Sequence, residues 1–231
     1  MRPEFSVWQR LRSYVFPVIV DRQESRYHPY LEVSLTRGKL MLNTALANYS
    51  YGGLHRVFQI AFDKIGLVGT PVKNVLILGF GAGSVATILR DELKIDAPIT
   101  GVEQDYAIIQ IAREFFDIDR LHTLTLVADD AMHYVRHCTT QFDLIAVDLY
   151  HDVSVPEEFE SDEFINYLFN LTMPGGVVLF NKVAATRKLY LEFTTLEKKL
   201  TNAFGNMNVI KALGINRVLV CRKDGSKAGT L

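Results

Sequence analysis

The first part of the chain carries short strand-like runs. Val15 to Val20, Tyr30 to Leu35 and Leu40 to Leu42 each predict a strand. Thr36-Arg37-Gly38-Lys39 is the turn expected to join the last two as a hairpin. A β piece this small folds poorly alone, so it should pack on the rest of the chain or on a partner chain. From Leu54 the rhythm changes. His55 to Ile65 has apolar residues at helical spacing, and Val68-Gly69-Thr70-Pro71 ends it. Asn74 to Leu78 then reads as a strand buried on both faces. Helices and strands alternate from there: a helix over Ser84 to Leu93, a strand over Ile99 to Glu103, a helix over Tyr106 to Phe116, a strand over Thr123 to Val127, and a short helix over Ala131 to Cys138. A strand over Phe142 to Val147, a helix over Asp162 to Leu171, a turn at Met173-Pro174-Gly175-Gly176 and a strand over Val177 to Phe180 complete the series.

Such alternation implies right-handed crossovers and a parallel sheet covered on both faces. The end of the chain departs from it. After a helix from Lys188 to about Phe204, strand runs at Met207 to Ala212 and Arg217 to Cys221 are separated only by Leu213-Gly214-Ile215-Asn216. That gap is too short for a parallel crossover, so the two must be antiparallel. The expected fold is α/β: a doubly wound, mostly parallel, seven-stranded sheet with a C-terminal antiparallel hairpin, preceded by a small N-terminal β piece. Residues 1–53 form the β piece, 54–222 the Rossmann-like domain and 223–231 a polar, frayed tail.

Composition narrows the function. Of the 231 residues, 48% are hydrophobic and 22% charged, which excludes wholesale disorder. A net charge of -1 argues against a nucleic-acid coat, although Arg2 to Arg12 is mildly basic. Apolar runs such as Val75 to Leu78 fall far short of the ~20 residues that cross a bilayer. Neither Met1 to Ser6 nor Val15 to Val20 has the core of a secretion signal, and Cys138 and Cys221 are too few for a disulfide framework. The expectation is a cytoplasmic protein with two free thiols, no membrane and no nucleic acid.

Candidate chemistry lies at the carboxyl ends of the strands. Gly79-Phe80-Gly81-Ala82-Gly83-Ser84 turns a strand into a helix, where glycines admit a ligand to the backbone and leave helix N–H groups free. A tight turn with no ligand is the plain alternative. A dinucleotide fingerprint wants Gly or Ala at the sixth position, where Ser84 stands, and the spacing of Gly79, Gly81 and Gly83 suits S-adenosylmethionine better. Glu103, at the end of the next strand, is placed to accept from ribose hydroxyls, with Asp105 expected to cap the following helix. Asp129-Asp130-Ala131 comes after the third strand. One carboxylate there can accept from an adenine amino group, and one is expected to be a helix cap. Asp148 closes the fourth strand and would face the reactive end, to orient or deprotonate an amine. Glu157, Glu158 and Glu160 read as a solvated loop. His133 and His137 beside Cys138 read as a surface helix rather than half a zinc site, with no carboxylate suitably near, so no metal is expected.

Together these residues resemble the class I S-adenosylmethionine-dependent methyltransferases, and more narrowly their spermidine synthase-like branch. The resemblance runs from about Tyr27 to Phe180. It rests on Val75 to Gly83, Val102-Glu103, Asp130-Ala131 followed by Tyr134-Val135, Pro174-Gly175-Gly176, and Ser25-Arg26-Tyr27-His28, which is similar to a Ser-x-Tyr-Gln element. It implies a homodimer and a nucleoside thioether or sulfonium ligand, with Gly79, Gly81, Gly83, Glu103, Asp130 and Ala131 holding it. His28, Tyr150 and His151 become candidates for the acceptor side. The departures concern the acceptor. An Asp-Ser-Ser-Asp-Pro-like loop is replaced by Asp148-Leu149-Tyr150-His151-Asp152, with only the first aspartate in place. A Tyr-His/Gln-Glu element becomes Leu54-His55-Arg56, and Arg56 in place of an acid would oppose a diamine. Three readings are open: methyl transfer from S-adenosylmethionine to a small acceptor, aminopropyl transfer from decarboxylated S-adenosylmethionine, or a non-catalytic nucleoside-binding dimer.

Overall fold

The computed structural model describes residues 3–44, 48–50, 53–150 and 154–225. Two sheets make up the molecule. The N-terminal sheet runs in the order β1 (Val18–Gln23), β2 (Leu31–Thr36), β3 (Lys39–Thr44), β4 (Asn48–Ser50), antiparallel throughout. Arg37 and Gly38 both take positive φ, the conformation of a two-residue hairpin turn whose twist matches that of its strands. Leu31, Val33 and Leu35 alternate into the core. Leu31 and Val33, with Leu42, meet Val57, Phe58, Ala61 and Phe62 of α2 (Gly53–Lys64), so the β piece packs on the first helix of the larger domain.

The larger sheet contains β5 (Val75–Leu78), β6 (Ile99–Glu103), β7 (Leu124–Ala128), β8 (Phe142–Val147), β9 (Thr172–Val183), β10 (Asn206–Ala212) and β11 (Asn216–Arg222). Its order is β10-β11-β9-β8-β5-β6-β7, parallel from β9 to β7 and antiparallel at the β10-β11 hairpin and its junction with β9. Four-residue β5 is apolar at every position because helices cover both faces. One face carries α2, α3 (Ser84–Thr87) and α4 (Tyr106–Phe116). The other carries α5 (Ala131–His137), α6 (Asp162–Leu171) and α7 (Arg187–Phe204). Ser161 and Thr186 cap α6 and α7.

Three expectations about the fold change. Val15 and Phe16 are exposed and the first strand starts only at Val18, after a helix α1 (Val7–Arg12) that hydrophobic spacing does not signal. A capping box forms that helix: Ser6 Oγ accepts from the Gln9 amide while Gln9 Oε1 accepts from the Ser6 amide. No residue of α1 is buried, and Trp8 is 81% exposed. Met173 to Gly176 lies within β9 as an irregularity in its register with β8, instead of preceding the strand. The frayed tail does not begin at Lys223. Its amide bonds to Gly176 O, and its ammonium donates to the carbonyls of Phe169 and Thr172, both at 2.9 Å.

Candidate functional site

Strand β5 has β6 on one side and β8 on the other, so the strand order reverses about it and a crevice opens at its carboxyl end. A cavity of about 200 Å³ occupies that crevice. Gly79, Glu103, Asp129, Asp130, Ala131 and Asp148 line it, brought together from four strand ends. Leu149, Tyr150, Pro156, Glu158 and Phe159 close the other side.

The glycine turn is shaped by its neighbours. Gly79, Gly81 and Gly83 all have positive φ. A Cβ on Gly79 would lie 2.3 Å from the Asp148 carbonyl oxygen, so the β5 and β8 exits can run this close only with glycine there. Within the turn, ahead of the helix that starts at Ser84, one N–H is already committed. The Gly81 amide donates to Glu103 Oε2 at 2.9 Å.

Glu103 is 3% exposed and its other oxygen accepts from the Asp105 amide at 3.0 Å. Burial pushes its carboxyl up to about 7, against the pull of those backbone donors. Glu103 therefore fastens the glycine turn as well as lining the cleft. Asp105 caps α4 through the Ala107 amide and also accepts from the Ser25 hydroxyl. Ser25 in turn receives the amides of Tyr27 and His28, so the Ser25–His28 turn of the N-terminal piece is anchored beside the end of β6. His28 is buried in that turn and does not line the cavity.

Asp130 is the cap of α5, accepting from the His133 amide through Oδ1. Its second oxygen is left for the cleft. Asp129 pairs with His133 Nδ1 at 2.8 Å, a carboxylate beside the histidine helix where the sequence pattern suggests none. Among the described residues no group of three or more His, Cys, Asp or Glu is arranged to hold a metal ion.

Asp148 is placed by sheet geometry. Its amide bonds to Leu78 O, extending the β5-β8 ladder by one residue. Its Oδ1 accepts from Asn181 Nδ2 at 2.9 Å, and Asn181 Oδ1 accepts from Asn216 Nδ2 at 3.1 Å. Burial raises the Asp148 carboxyl to about 6, against the opposing pull of the Asn181 hydrogen bond. Sequence reasoning missed both asparagines. The available signal was an amide directly after the apolar run Val177 to Phe180 and another at the start of the last strand. It also missed Lys182, which is 1% exposed and pairs with Glu160 and, at 3.1 Å, with Glu192. Glu160 is thus not part of a merely solvated loop, since it holds that loop against β9. Glu157 and Glu158 are exposed as expected.

Tyr150 lines the cleft beside Asp148, and His151 falls outside the described residues. Arg56 lies on α2, bonded to Gln59 at 3.3 Å. It lines a separate groove with Arg10, Lys39 and Glu92, so the expectation that its charge opposes a diamine in the cleft is withdrawn.

Comparison with known proteins adds a decisive match: residues 62–212 fit the spermine/spermidine synthase domain. The chain belongs to this family. A probable polyamine aminopropyl transferase of Bifidobacterium longum is 30% identical over 96% of the chain and 49% of its own length. The chain thus spans about half the length of that relative. Among solved structures, spermidine synthase from Thermotoga maritima aligns with a TM-score of 0.71 at 18% identity, covering 89% of this chain and 72% of that one. Human methyltransferase-like protein 13 in complex with SAH aligns at 0.60 with 22% identity, covering 77% and 82%. Both are likenesses of fold, and they agree with the spermidine synthase-like branch of the class I methyltransferase superfamily. No helix among the described residues is long and apolar enough to cross a membrane.

Proposed function

We propose that the protein transfers an alkyl group from an S-adenosylmethionine-type sulfonium to an amine, and that the group is aminopropyl, from the decarboxylated donor. The observation that carries this reading is charge. Five carboxylates line the cleft, from Glu103, Asp129, Asp130, Asp148 and Glu158, and no lysine, arginine or histidine does among the described residues. Decarboxylated S-adenosylmethionine bears an ammonium and a sulfonium and no carboxylate, and an amine acceptor is also cationic in water. An acidic cleft favours both and disfavours the additional carboxylate of S-adenosylmethionine. The residues fit the nucleoside. Gly79 brings bare backbone to the cavity wall, although Gly81 and Gly83 do not line it, Glu103 stands where ribose hydroxyls can donate, Asp130 offers an oxygen for an amino group, and Val102 and Ala131 give apolar walls.

In this reading the neutral amine's lone pair attacks the carbon attached to sulfur. The carbon–sulfur bond breaks, its electron pair stays on sulfur, and the product is a neutral thioether. The acceptor gives up one proton, and Asp148, with its carboxyl raised to about 6, is the base within reach. The polyamine aminopropyl transferase relative supports the same choice.

Methyl transfer is the second reading. It is favoured by Leu149 and Tyr150, which replace the small polar residues of the family's acceptor loop. The test gives the protein each donor form with putrescine and identifies products by mass spectrometry. Aminopropylated putrescine from the decarboxylated donor supports the first reading. Methylated amine from S-adenosylmethionine supports the second. Nucleoside binding without either product leaves a non-catalytic binder. A homodimer remains part of the proposal, to be read from the molar mass in solution.

A further inference from the structure

Seven of the 14 large exposed apolar side chains among the described residues fall between Val7 and Ile19, in one short stretch of chain. Val7, Trp8, Leu11, Tyr14, Val15 and Phe16 are each more than half exposed. At 3.6 residues per turn, Val7, Trp8 and Leu11 project within about 100° of one another on α1, with Arg10 and Arg12 on the two flanks. The Val15 and Phe16 amides both return to Arg12 O at 3.0 Å, so the chain keeps turning and adds Tyr14 to Phe16 to this surface. The surface is held in place. Ser13 accepts the Arg37 amide at its carbonyl and the Gly38 amide at its hydroxyl, which fixes the end of α1 on the β2-β3 turn.

Charge decides what can cover it. Glu4 is the only carboxylate from Pro3 to Val20, against Arg10 and Arg12. The β2-β3 turn adds Arg37 and Lys39, both exposed. Beside α1 a groove of about 700 Å³ is lined by Arg10, Lys39 and Arg56. The two carboxylates of that groove are already taken, Asp91 by Arg120 and Glu92 by His55. Arg56 bonds to the uncharged Gln59 side chain. A second copy docked about a two-fold axis would set the patch against itself, placing arginines beside arginines with Glu4 alone to offset them. The homodimer proposed above then uses another face. An anionic surface satisfies the cations and covers the apolar side chains together.

We propose that this face docks on an anionic lipid surface. Trp8, Leu11 and their apolar neighbours enter the boundary between headgroups and acyl chains, and Arg10, Arg12, Arg37 and Lys39 meet lipid phosphates. Arginine can lay its stem along apolar surface while its guanidinium stays at headgroup level. A helix lying in that boundary needs an apolar side and flanking cations, not the length of a membrane span. The proposal is independent of the reaction in the cleft.

Trp8 is the one tryptophan of the chain, so its emission reports on this face alone. The test titrates the full chain at low salt with vesicles of phosphatidylcholine alone and of phosphatidylcholine mixed with phosphatidylglycerol, reading Trp8 emission and co-sedimentation. The expected result is binding and a shift to shorter wavelength with the anionic vesicles, and neither with the neutral ones. Arg10→Glu combined with Arg12→Glu should weaken that binding roughly 30-fold or more. Leu11→Ser should weaken it roughly tenfold. All three positions are exposed, so these variants should keep the fold, which circular dichroism checks. No shift with anionic vesicles overturns the proposal. So does a shift that appears without lipid, grows with protein concentration and accompanies a doubled molar mass, since that result gives the face to a second copy.

Discussion

Asn181 donates to Asp148 at 2.9 Å and is itself held by Asn216, so the carboxylate at the end of β8 is oriented from β9 and β11. The hydrogen bond favours the ionised form, against burial. Asn181→Ala should therefore raise the Asp148 carboxyl above about 6 and move the acid limb of the pH–rate profile to higher pH. Turnover at pH 8 should fall roughly fivefold or more from lost orientation. A profile with an unmoved acid limb would show that Asp148 is not the titrating base.

Asp148 also bears on stability. Its folded-state value of about 6 lies above the ordinary 3.8, so the folded protein holds its proton more tightly than the unfolded chain does. That contribution is fully present below about 3.8 and is lost as pH rises through about 6. Asp148→Asn removes the loss, and should stabilise the ligand-free protein above pH 7 by at most about 3 kcal/mol, with no gain near pH 4. Denaturant titrations at the two pH values check this. A variant that is inactive and more stable would mark Asp148 as kept for chemistry.

Glu103 predicts a proton count. With its carboxyl near 7, a substantial fraction is protonated at neutral pH. Ribose hydroxyls donating to it favour the ionised form, so methylthioadenosine binding at pH 7 should release part of a proton and weaken as pH falls toward 5.5. Calorimetry in two buffers of different ionisation heat measures the release. Proton uptake, or none at all, would remove Glu103 from the ribose role.

Gly101 predicts a packing defect. A Cβ there would lie 2.3 Å from Cδ2 of Phe80 and 2.9 Å from Cδ2 of Leu126. Phe80 belongs to the glycine turn, so its ring fits over β6 only because Gly101 has no side chain. Gly101→Ala should destabilise by about 2–3 kcal/mol and weaken nucleoside binding by displacing the turn. Phe80→Leu in the same chain should recover part of both, as read by melting temperature and methylthioadenosine affinity.

The large sheet is legible in the sequence because its central strands are continuous apolar runs and its connections carry helical spacing. Of the site, the strand-end residues Gly79, Glu103, Asp130 and Asp148 are readable because open sheets gather ligands at strand ends. The exact job of each is less so. Asp130 reads as a partner for the adenine, yet its Oδ1 caps a helix, and Glu103 reads as a partner for the ribose, yet both its oxygens already hold backbone amides. Asn181 and Lys182 stay hidden because their partners lie between 10 and 35 residues away, and sequence spacing does not report such contacts. Helix α1 is a different failure. Its capping box is written in Ser6 to Gln9, but a helix with no buried face has no hydrophobic period to find.

The bond from Ser25 to Asp105 begins a continuous polar thread: Asp105 donates its amide to Glu103, and Glu103 accepts from Gly81. The small β sheet and the glycine turn are thereby neighbours in one cooperative unit. Any nucleoside that tightens the turn should protect the Ser25–His28 amides from hydrogen exchange as well. Replacing either segment by its counterpart from a relative would therefore sever the thread unless both were exchanged together.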